Sequence, residues 1–595
     1  MKKTKSKRLL TLVLALVLVF ALSLGALAAW TSFQNDETNN GTIDPASPPP
    51  TSTPTVTAVD LSMHNPYGDV YSGVDAETVM NNGFAYTLYN GGISSGLAGG
   101  ARLRATVLTP ITDPNDPNVI LYDTGDPYWD AQLDACPNNE SQLATPYLDT
   151  ASEKLYTTVT IRTPIVDDYS VGGWTASGNA TITNGVATFA SGGGEISRTI
   201  TIDAVNYLYL PTNLSGTDGT YTISLVSSGT PSTTFTLVNN GYVSSWGTYD
   251  SYTGVQIPAD TYTLKIEVTG NTAAATMDQI VINRYDWRLY CVSNLNATCP
   301  TVTRLLGCNC INTAFEGQIN TPIYSDGDGN IYFGVYGGTH SYYQLNTATL
   351  ALAQFNAGSE DFYWAGAVKV TDAHGDDYIV FGSDSGNVYV RSKNAFSTVG
   401  TVIDLASLAP AQVPPVTPGQ IRSSLVAYSD YIYFTSKGTG DGWLWRIGTG
   451  HITNPSSSEV KVKSVYLGNV SVSTPVISEN GIVYIGSNNY DPILFTTTGR
   501  IEAYTLDCAC ITQAVYVGDP VQASPIVYTD IDDYIYFTTN SNTGAGYCYS
   551  FDGTNAASVW TAGGTSYNRY TVQGFSSDDG YLIYGDDSGR LYIMN

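Results

Sequence analysis

Three oxygen-bearing side chains, Asp326, Asp328 and Asn330, occupy alternate positions in a glycine-rich stretch that begins at Ser325. That spacing lets carboxylates and an amide converge on a hard cation such as calcium. No glutamate follows at the distance that completes an EF-hand loop, and the same residues also spell an ordinary hairpin turn. Asp530, Asp532 and Asp533 repeat the pattern more weakly. The four histidines, His64, His340, His374 and His451, are dispersed along the chain. No serine elbow, H-E-x-x-H, P-loop or dinucleotide glycine signature occurs. A glycosidase needs only a pair of acids, and 52 Asp and Glu make such a pair uninformative. Lyase chemistry on uronic acids needs cations against the substrate carboxylate, and the overall charge runs the other way.

The eight cysteines bear on redox state and metal binding. Cys308 with Cys310 and Cys508 with Cys510 are C-x-C pairs, Cys291 and Cys299 flank a hairpin-length interval, and Cys136 and Cys548 stand alone. Zinc sites use paired C-x-x-C spacing, which is absent. In an exported chain these cysteines are expected to form structural disulfides. Cys291 with Cys299 is the one local pairing the spacing suggests, and the others stay open. A further cluster, Tyr242, Trp246, Tyr249 and Tyr252, falls in one Gly/Ser-rich stretch. Exposed rings of this kind can stack on the C–H face of a sugar. The alternative is that they are ordinary residues on the outer face of strands.

Compartment and charge narrow the function classes. Residues 1–28 read as a signal peptide: Lys2, Lys3, Lys5, Lys7 and Arg8, an apolar run from Leu9 to Leu22, then Ala26-Leu27-Ala28 as a cleavage site. If uncleaved, this segment would be the only membrane attachment expected. No cysteine immediately follows it, which argues against a lipoprotein. The net charge of −27 becomes −32 when the five basic residues of this segment are removed. Such a field repels nucleic acid, anionic membranes and polyanionic substrates. Hydrophobic content of 43% is ample for a packed core.

The elements that must position these residues repeat. Phe84, Leu155, Ile331, Ile379, Ile432, Val483, Ile535 and Leu582 each open a β-branched or aromatic run bounded by turn residues. From Ile331 onward they recur at intervals of 48, 53, 51, 52 and 47 residues. A period near fifty with several strands per unit predicts a β-propeller. Inner strands carry Thr145-Pro146, Thr321-Pro322, Thr474-Pro475 or Ser524-Pro525. Third strands start on pairs such as Val388-Tyr389 and Leu591-Tyr592, and Ala557 to Trp560 reads as a fourth strand. In the first unit, Leu103 to Val107 and Val119 to Tyr122 supply the weakest strands. The last unit stops after its third strand at Asn595, so Thr55 to Leu61 is expected to close it from the N-terminus and remove an exposed edge.

This repeat resembles that of the PQQ-like (quinoprotein alcohol dehydrogenase-like) propellers. The segment from Trp30 through Phe33 and Asp36 to Gly41 is similar to the stretch that precedes the first blade in secreted members. The eight anchors count eight blades, with seven as the alternative because the first unit is the weakest. The resemblance does not carry a cofactor over. The dehydrogenases of the family use adjacent cysteines and a repeated tryptophan docking motif; this chain has no adjacent cysteines, and only Trp560 resembles that tryptophan. The expectation is therefore no cofactor, with calcium as the one candidate ion.

Between Leu155 and Ile331 the interval is far longer than one unit needs. Trp174 to Phe189, then Ile196 to Ile202, Tyr207 to Leu210, Tyr221 to Val226, Thr233 to Val238, Tyr262 to Val268 and Met277 to Ile282 read as short strands of a β-sandwich. The opening and closing motifs resemble galactose-binding-like jelly rolls, including carbohydrate-binding modules. Propeller text resumes at Trp287. The expected organisation is a signal peptide (1–28), an N-terminal segment and linker (29–58), the first part of an all-β propeller (59–165), an inserted jelly-roll sandwich (166–284) and the rest of the propeller (285–595). The expected function is binding or scaffolding on a bacterial cell surface. The expected partners are extracellular or cell-wall glycans, the chain itself or another surface protein, with no nucleic acid. The alternatives are an extracellular carbohydrate-active enzyme and a self-assembling surface scaffold.

Overall fold

The structure is a computed structural model. It describes residues 42–43, 48–61, 74, 76–91, 100–133, 144–166, 169, 172–202, 209–215, 218–229, 232–242, 248–252, 260–280, 282–307, 317–337, 339–408, 418–438, 441–454, 462–491, 496–540, 545–562, 574–576, 580–586 and 589–595. The signal segment, the Trp30 to Gly41 stretch, His64, Cys136, Trp246, Cys308 and Cys310 lie outside the described residues. Almost every described element is a strand; a short 3-10 turn at Lys393–Ala395 and a helical turn at Leu405–Leu408 are the exceptions among them. No helix among the described residues is long and apolar enough to cross a membrane.

Among the described residues the strands form eight successive four-strand sets, each running inner to outer as an antiparallel meander. The first is Val79–Asn81, Phe84–Gly91, Gly100–Val107 and Pro127–Gln132; the second is Tyr147–Asp149, Lys154–Val166, Ile282–Ser293 and Thr301–Gly307. The third is Tyr324–Ser325, Asn330–Gly334, Ser341–Asn346 and Leu352–Asn356, and the fourth is Val368–Thr371, Asp377–Gly382, Asn387–Ser392 and Gly400–Asp404. The fifth is Val426–Tyr428, Tyr431–Lys437, Gly442–Gly448 and Lys463–Tyr466, and the sixth is Val476–Ile477, Ile482–Asp491, Thr496–Thr505 and Cys510–Val517. The seventh is Ile526–Thr529, Asp533–Thr538, Gly546–Phe551 and Ala556–Ala562. The eighth is Gly574–Ser576, Tyr581–Gly585 and Arg590–Met594, completed by Val56–Asp60 from the N-terminus. Every repeat anchor named above lies on a second strand. Val119 to Tyr122 is a correction: it belongs to a separate two-stranded hairpin, Ile111–Asp113 with Asp116–Tyr122, and the outer strand of the first sheet comes later.

Side-chain alternation explains the hydrophobic-Tyr-hydrophobic text. Successive residues of a strand point to opposite faces, and here both faces are covered. Ile331 and Phe333 pack into the core shared with the second sheet, while Tyr332 packs into the core shared with the fourth. Ile432 and Phe434 face the fourth sheet and Tyr433 the sixth; Val483 and Ile485 face the fifth and Tyr484 the seventh. Such shared cores link each sheet to its neighbour, and one that joins residues of the seventh, eighth and first sheets closes the ring. Tyrosine rather than phenylalanine serves because its hydroxyl finds a polar partner at the edge of the core, in two cases beyond its own sheet. Tyr433 donates to the Leu506 carbonyl (3.1 Å) and Tyr484 to Asp533 Oδ2 (2.7 Å), each in the following sheet.

The inner Ser/Thr residues stitch the sheets in the same direction. Ser424 Oγ accepts the Gly366 N–H (2.8 Å), Thr474 Oγ1 the Ser424 N–H (2.9 Å), and Ser524 Oγ the Thr474 N–H (2.9 Å). Gly366 is required at its place, since a Cβ there would lie 2.7 Å from Ser424 Oγ. These bonds satisfy backbone donors that no strand ladder reaches.

The closing strand pairs in register with the C-terminal one, Val56 opposite Met594 through Asp60 opposite Arg590. Thr55 and Asn595 exchange backbone hydrogen bonds, and Val59 and Leu61 are buried. Upstream, Thr42–Ile43 runs parallel to Ile526–Thr529 at the inner edge of the seventh sheet, and the Pro50 carbonyl accepts the Trp560 indole N–H (2.8 Å).

In the second sheet, Lys154–Val166 (13 residues) and Ile282–Ser293 (12 residues) pair from Lys154 opposite Ser293 to Val166 opposite Ile282. The strands between them, from Thr175–Thr183 to Ala275–Ile280, order as Thr234–Tyr242, Thr220–Ser227, Asp260–Thr269, Val186–Ile202, Ala275–Ile280 and Tyr209–Ser215. They have a core of their own, with Phe189, Ile196, Ile223, Leu225, Leu264, Ile266 and Met277 fully buried. Thr220–Ser227 and Asp260–Thr269 alternate buried and half-buried residues along much of their length, as a strand with one covered face should.

Candidate functional site

The D-x-D-x-N turn joins the first two strands of the third sheet. Asp326 is fully buried, and its Oδ1 accepts the N–H groups of Asp328 (2.8 Å) and Asn330 (3.1 Å). Its Oδ2 accepts from Asn330 Nδ2 (2.8 Å) and the Tyr332 hydroxyl (3.0 Å). Asp328 is ion-paired with Lys393, with Lys369 Nζ at 3.9 Å. Lys393 holds the Asp328 carboxyl below its ordinary range, first through a hydrogen bond and then through its charge. The oxygens of Asp326 and Asp328 are thus turned to turn formation and lysine pairing, and Asn330 Oδ1 accepts from Asn346 Nδ2 (3.2 Å). Asp586 is used in the same way, accepting the Arg590 N–H (2.9 Å) and the Tyr592 hydroxyl (3.1 Å). Among the described residues no group of three or more His, Cys, Asp or Glu could hold a metal.

The expected Cys291–Cys299 bridge is a correction: both thiols are free. The register explains why, since Cys291 stands opposite Thr303, which leaves Cys299 in the loop beyond the ladder. Cys508 and Cys548 are also free thiols. Burial pushes the Cys508 and Cys548 thiols up to about 12, which makes them inert packing groups.

Of the aromatic cluster, Tyr242 ends an edge strand opposite Thr220, while Tyr249 and Tyr252 lie on Thr248–Tyr252, opposite Thr212 and Tyr209. These two strands are not hydrogen-bonded to each other. Trp174 packs against the inserted core beside Tyr169, with the Arg198 guanidinium 6.0 Å from its ring.

A different constellation lies where connectors leave the third, fourth and fifth sheets. Sheet alternation puts the turn after each second strand and the connector after each outer strand at the same end of the ring. At that end Arg422 makes a two-pronged ion pair with Asp384, Nε to Oδ1 at 3.0 Å and Nη2 to Oδ2 at 2.7 Å. Its guanidinium lies 4.5 Å from the Tyr363 ring and 5.8 Å from Trp364. Tyr363 in turn packs on Tyr336 and Trp364. Trp364 has φ +63°, a conformation that bulky residues rarely adopt and that persists only where the surroundings fix it.

Gln420 and Lys437 exchange backbone hydrogen bonds (2.8 and 2.7 Å), so their side chains and that of Arg422 share one face. Gly419 allows this approach: at φ +72°, its Cβ would lie 2.0 Å from the Lys437 carbonyl oxygen. Nearby, His340 Nδ1 bonds Asp361 Oδ1 (3.0 Å), which also accepts the Gly337 N–H (2.7 Å). Glu360 accepts from Ser385 and Asn387. Burial raises the Asp384 carboxyl above its ordinary value, and Arg422 works against that rise. Burial and then Arg422 push Lys437 down, while the Asp361 hydrogen bond raises His340. The sequence offered one signal for this group, an adjacent Tyr363-Trp364 pair outside any strand in a chain poor in basic residues.

No protein-family model matches the chain, and no curated protein matches it. Among solved structures it is similar to the WD40 repeats of RRP9, at 9% identity and TM-score 0.33 over 52% of this chain and 90% of that one. It is also similar to BamB from Moraxella catarrhalis, at 9% identity and TM-score 0.29 over 49% and 88%. A third is the WD40 domain of Pan2 from Neurospora crassa, at 11% identity and TM-score 0.31 over 52% and 82%. By its own sheets and the cores between them, the chain is an all-β protein of the β-propeller fold.

Proposed function

We propose that this is a secreted bacterial cell-surface protein that acts by binding, an eight-bladed PQQ-like propeller displaying an inserted jelly roll at 166–284. The observation that carries this reading is the ladder that runs unbroken from Lys154 opposite Ser293 to Pro164 opposite Asn283 and, after a bulge, reaches Val166 opposite Ile282. Most other second and third strands of the ring are five to eight residues long, so a 13-residue strand overshoots its sheet by several residues, roughly 20 Å at about 3.4 Å per residue. At its far end stands a unit with its own core. A rigid ring with a second β unit raised on a two-stranded stalk is suited to presenting a contact surface. The ligand class we assign to that unit is an extracellular or cell-wall glycan, held by the Tyr242, Trp246, Tyr249 and Tyr252 stretch.

Retention on an immobilised polysaccharide tests the assignment. Trp246→Ala should abolish retention and leave the unfolding temperature nearly unchanged. Unfolding of the variant would make Trp246 a packing residue and defeat the platform idea. Self-association is the second reading, favoured by the exposed run Val119, Ile120 and Leu121 on the hairpin of the first repeat. Sedimentation velocity separates the two.

A further inference from the structure

We propose that the connector end of the third to fifth sheets is a second binding site, for a carboxylate-bearing sugar. Lys437 and Arg422 would take the carboxylate and Trp364 the ring. Arg422 spends Nε and Nη2 on Asp384, which leaves Nη1 without a hydrogen bond among the described residues. Lys437 has no side-chain hydrogen bond or ion pair among them, although it sits half-buried on the same face as Arg422. The acids close by are engaged elsewhere: Asp384 with Arg422, Asp361 with His340 and Gly337, Glu360 with Ser385 and Asn387.

The open groups are therefore cationic, in a chain with 25 basic and 52 acidic residues. Asp384 already offsets the charge of Arg422, but Lys437 is half-buried beside that guanidinium with no anion of its own, and an incoming carboxylate relieves its cost. The held conformation of Trp364 keeps a half-buried aromatic ring beside these donors. Donors for a carboxylate next to a ring that can stack on a sugar's C–H face define a uronic-acid residue. The field of a −27 chain excludes a dense polyanion, so the ligand is a chain end or a sparsely charged glycan.

The test is isothermal titration, with saturation-transfer NMR, of the chain lacking residues 1–28 against D-galacturonate, D-glucuronate and D-galactose. At least one uronate should bind about tenfold or more tightly than galactose. Lys437→Met, which keeps the alkyl stem, should lose about tenfold for that uronate, the effect of one charge-assisted hydrogen bond. Lys437→Arg should restore most of it, and Trp246→Ala should change nothing. Equal binding of galactose, undiminished binding by Lys437→Met, or no transfer to either uronate would overturn the proposal. Loss of uronate binding in Trp246→Ala would move the ligand to the inserted unit and overturn it as well.

Discussion

The contact between Tyr484 and Asp533 should be among the strongest links between two sheets. Asp533 is fully buried and accepts three side-chain hydrogen bonds: from the Tyr484 hydroxyl (2.7 Å), Asn480 Nδ2 (3.0 Å) and Thr529 Oγ1 (2.9 Å). Two of these donors come from the sixth sheet and one from the seventh. Tyr484→Phe keeps the ring in its core and deletes one bond to a carboxylate, a loss of about 1.5–3 kcal/mol. Asp533→Ala strands all three donors and should cost about 3 kcal/mol or more. Because the two residues share one bond, the double variant should cost less than the sum of the single ones by about 1.5–3 kcal/mol. Urea unfolding followed by tyrosine and tryptophan fluorescence measures all four proteins. A loss below about 0.5 kcal/mol for Tyr484→Phe, or additive single changes, would show that the hydroxyl does not join the sheets.

Two other outcomes follow from the geometry. Removing residues up to Leu61 should open the edge of the Arg590–Met594 strand and expose the cavity left by Val59 and Leu61, at a cost of about 3–6 kcal/mol in burial. Light scattering should report aggregation, and unchanged thermal stability would show that the ring closes without this strand. His340 should contribute stability that is full below its ordinary value of 6.5 and is lost as pH rises through its raised folded value. In His340→Gln that pH-dependent part should vanish from unfolding curves taken between about pH 5 and 8, and an identical pH profile would remove the Asp361 contact as its source.

The regular part of the molecule was legible because its sequence period is physical. Ile331, Tyr332 and Phe333 repeat as a unit since each sheet is buried on both faces, so the second strand must be apolar throughout and the tyrosine must find a partner. The closing strand was legible from its own alternation at Thr55 to Leu61, and it pairs in register with Arg590–Met594. Val119 to Tyr122 misled because an exposed hairpin strand can be as β-branched as a buried one. Cys291 and Cys299 misled because sequence distance does not fix register: one extra turn residue moves the partner position. Arg422, Asp384 and Lys437 were not legible, because they stand on turns and connectors whose lengths vary from repeat to repeat. Their meeting depends on the fourth sheet packing on the fifth, which no local spacing encodes.

The central claim is that the chain is a binding protein that works through the unit raised on the second sheet. Its most direct test is a glycan array probed with two proteins: the chain lacking residues 1–28, and the same chain with 167–283 replaced by a short Gly/Ser linker. Val166 and Ile282 are opposite each other on neighbouring strands, so the linker spans a short gap and the ring should remain soluble. The account predicts that the intact protein binds a defined set of neutral glycans and that the shortened one loses that set. Retention of the same neutral glycans by the shortened protein, or no binding by the intact one, would contradict it.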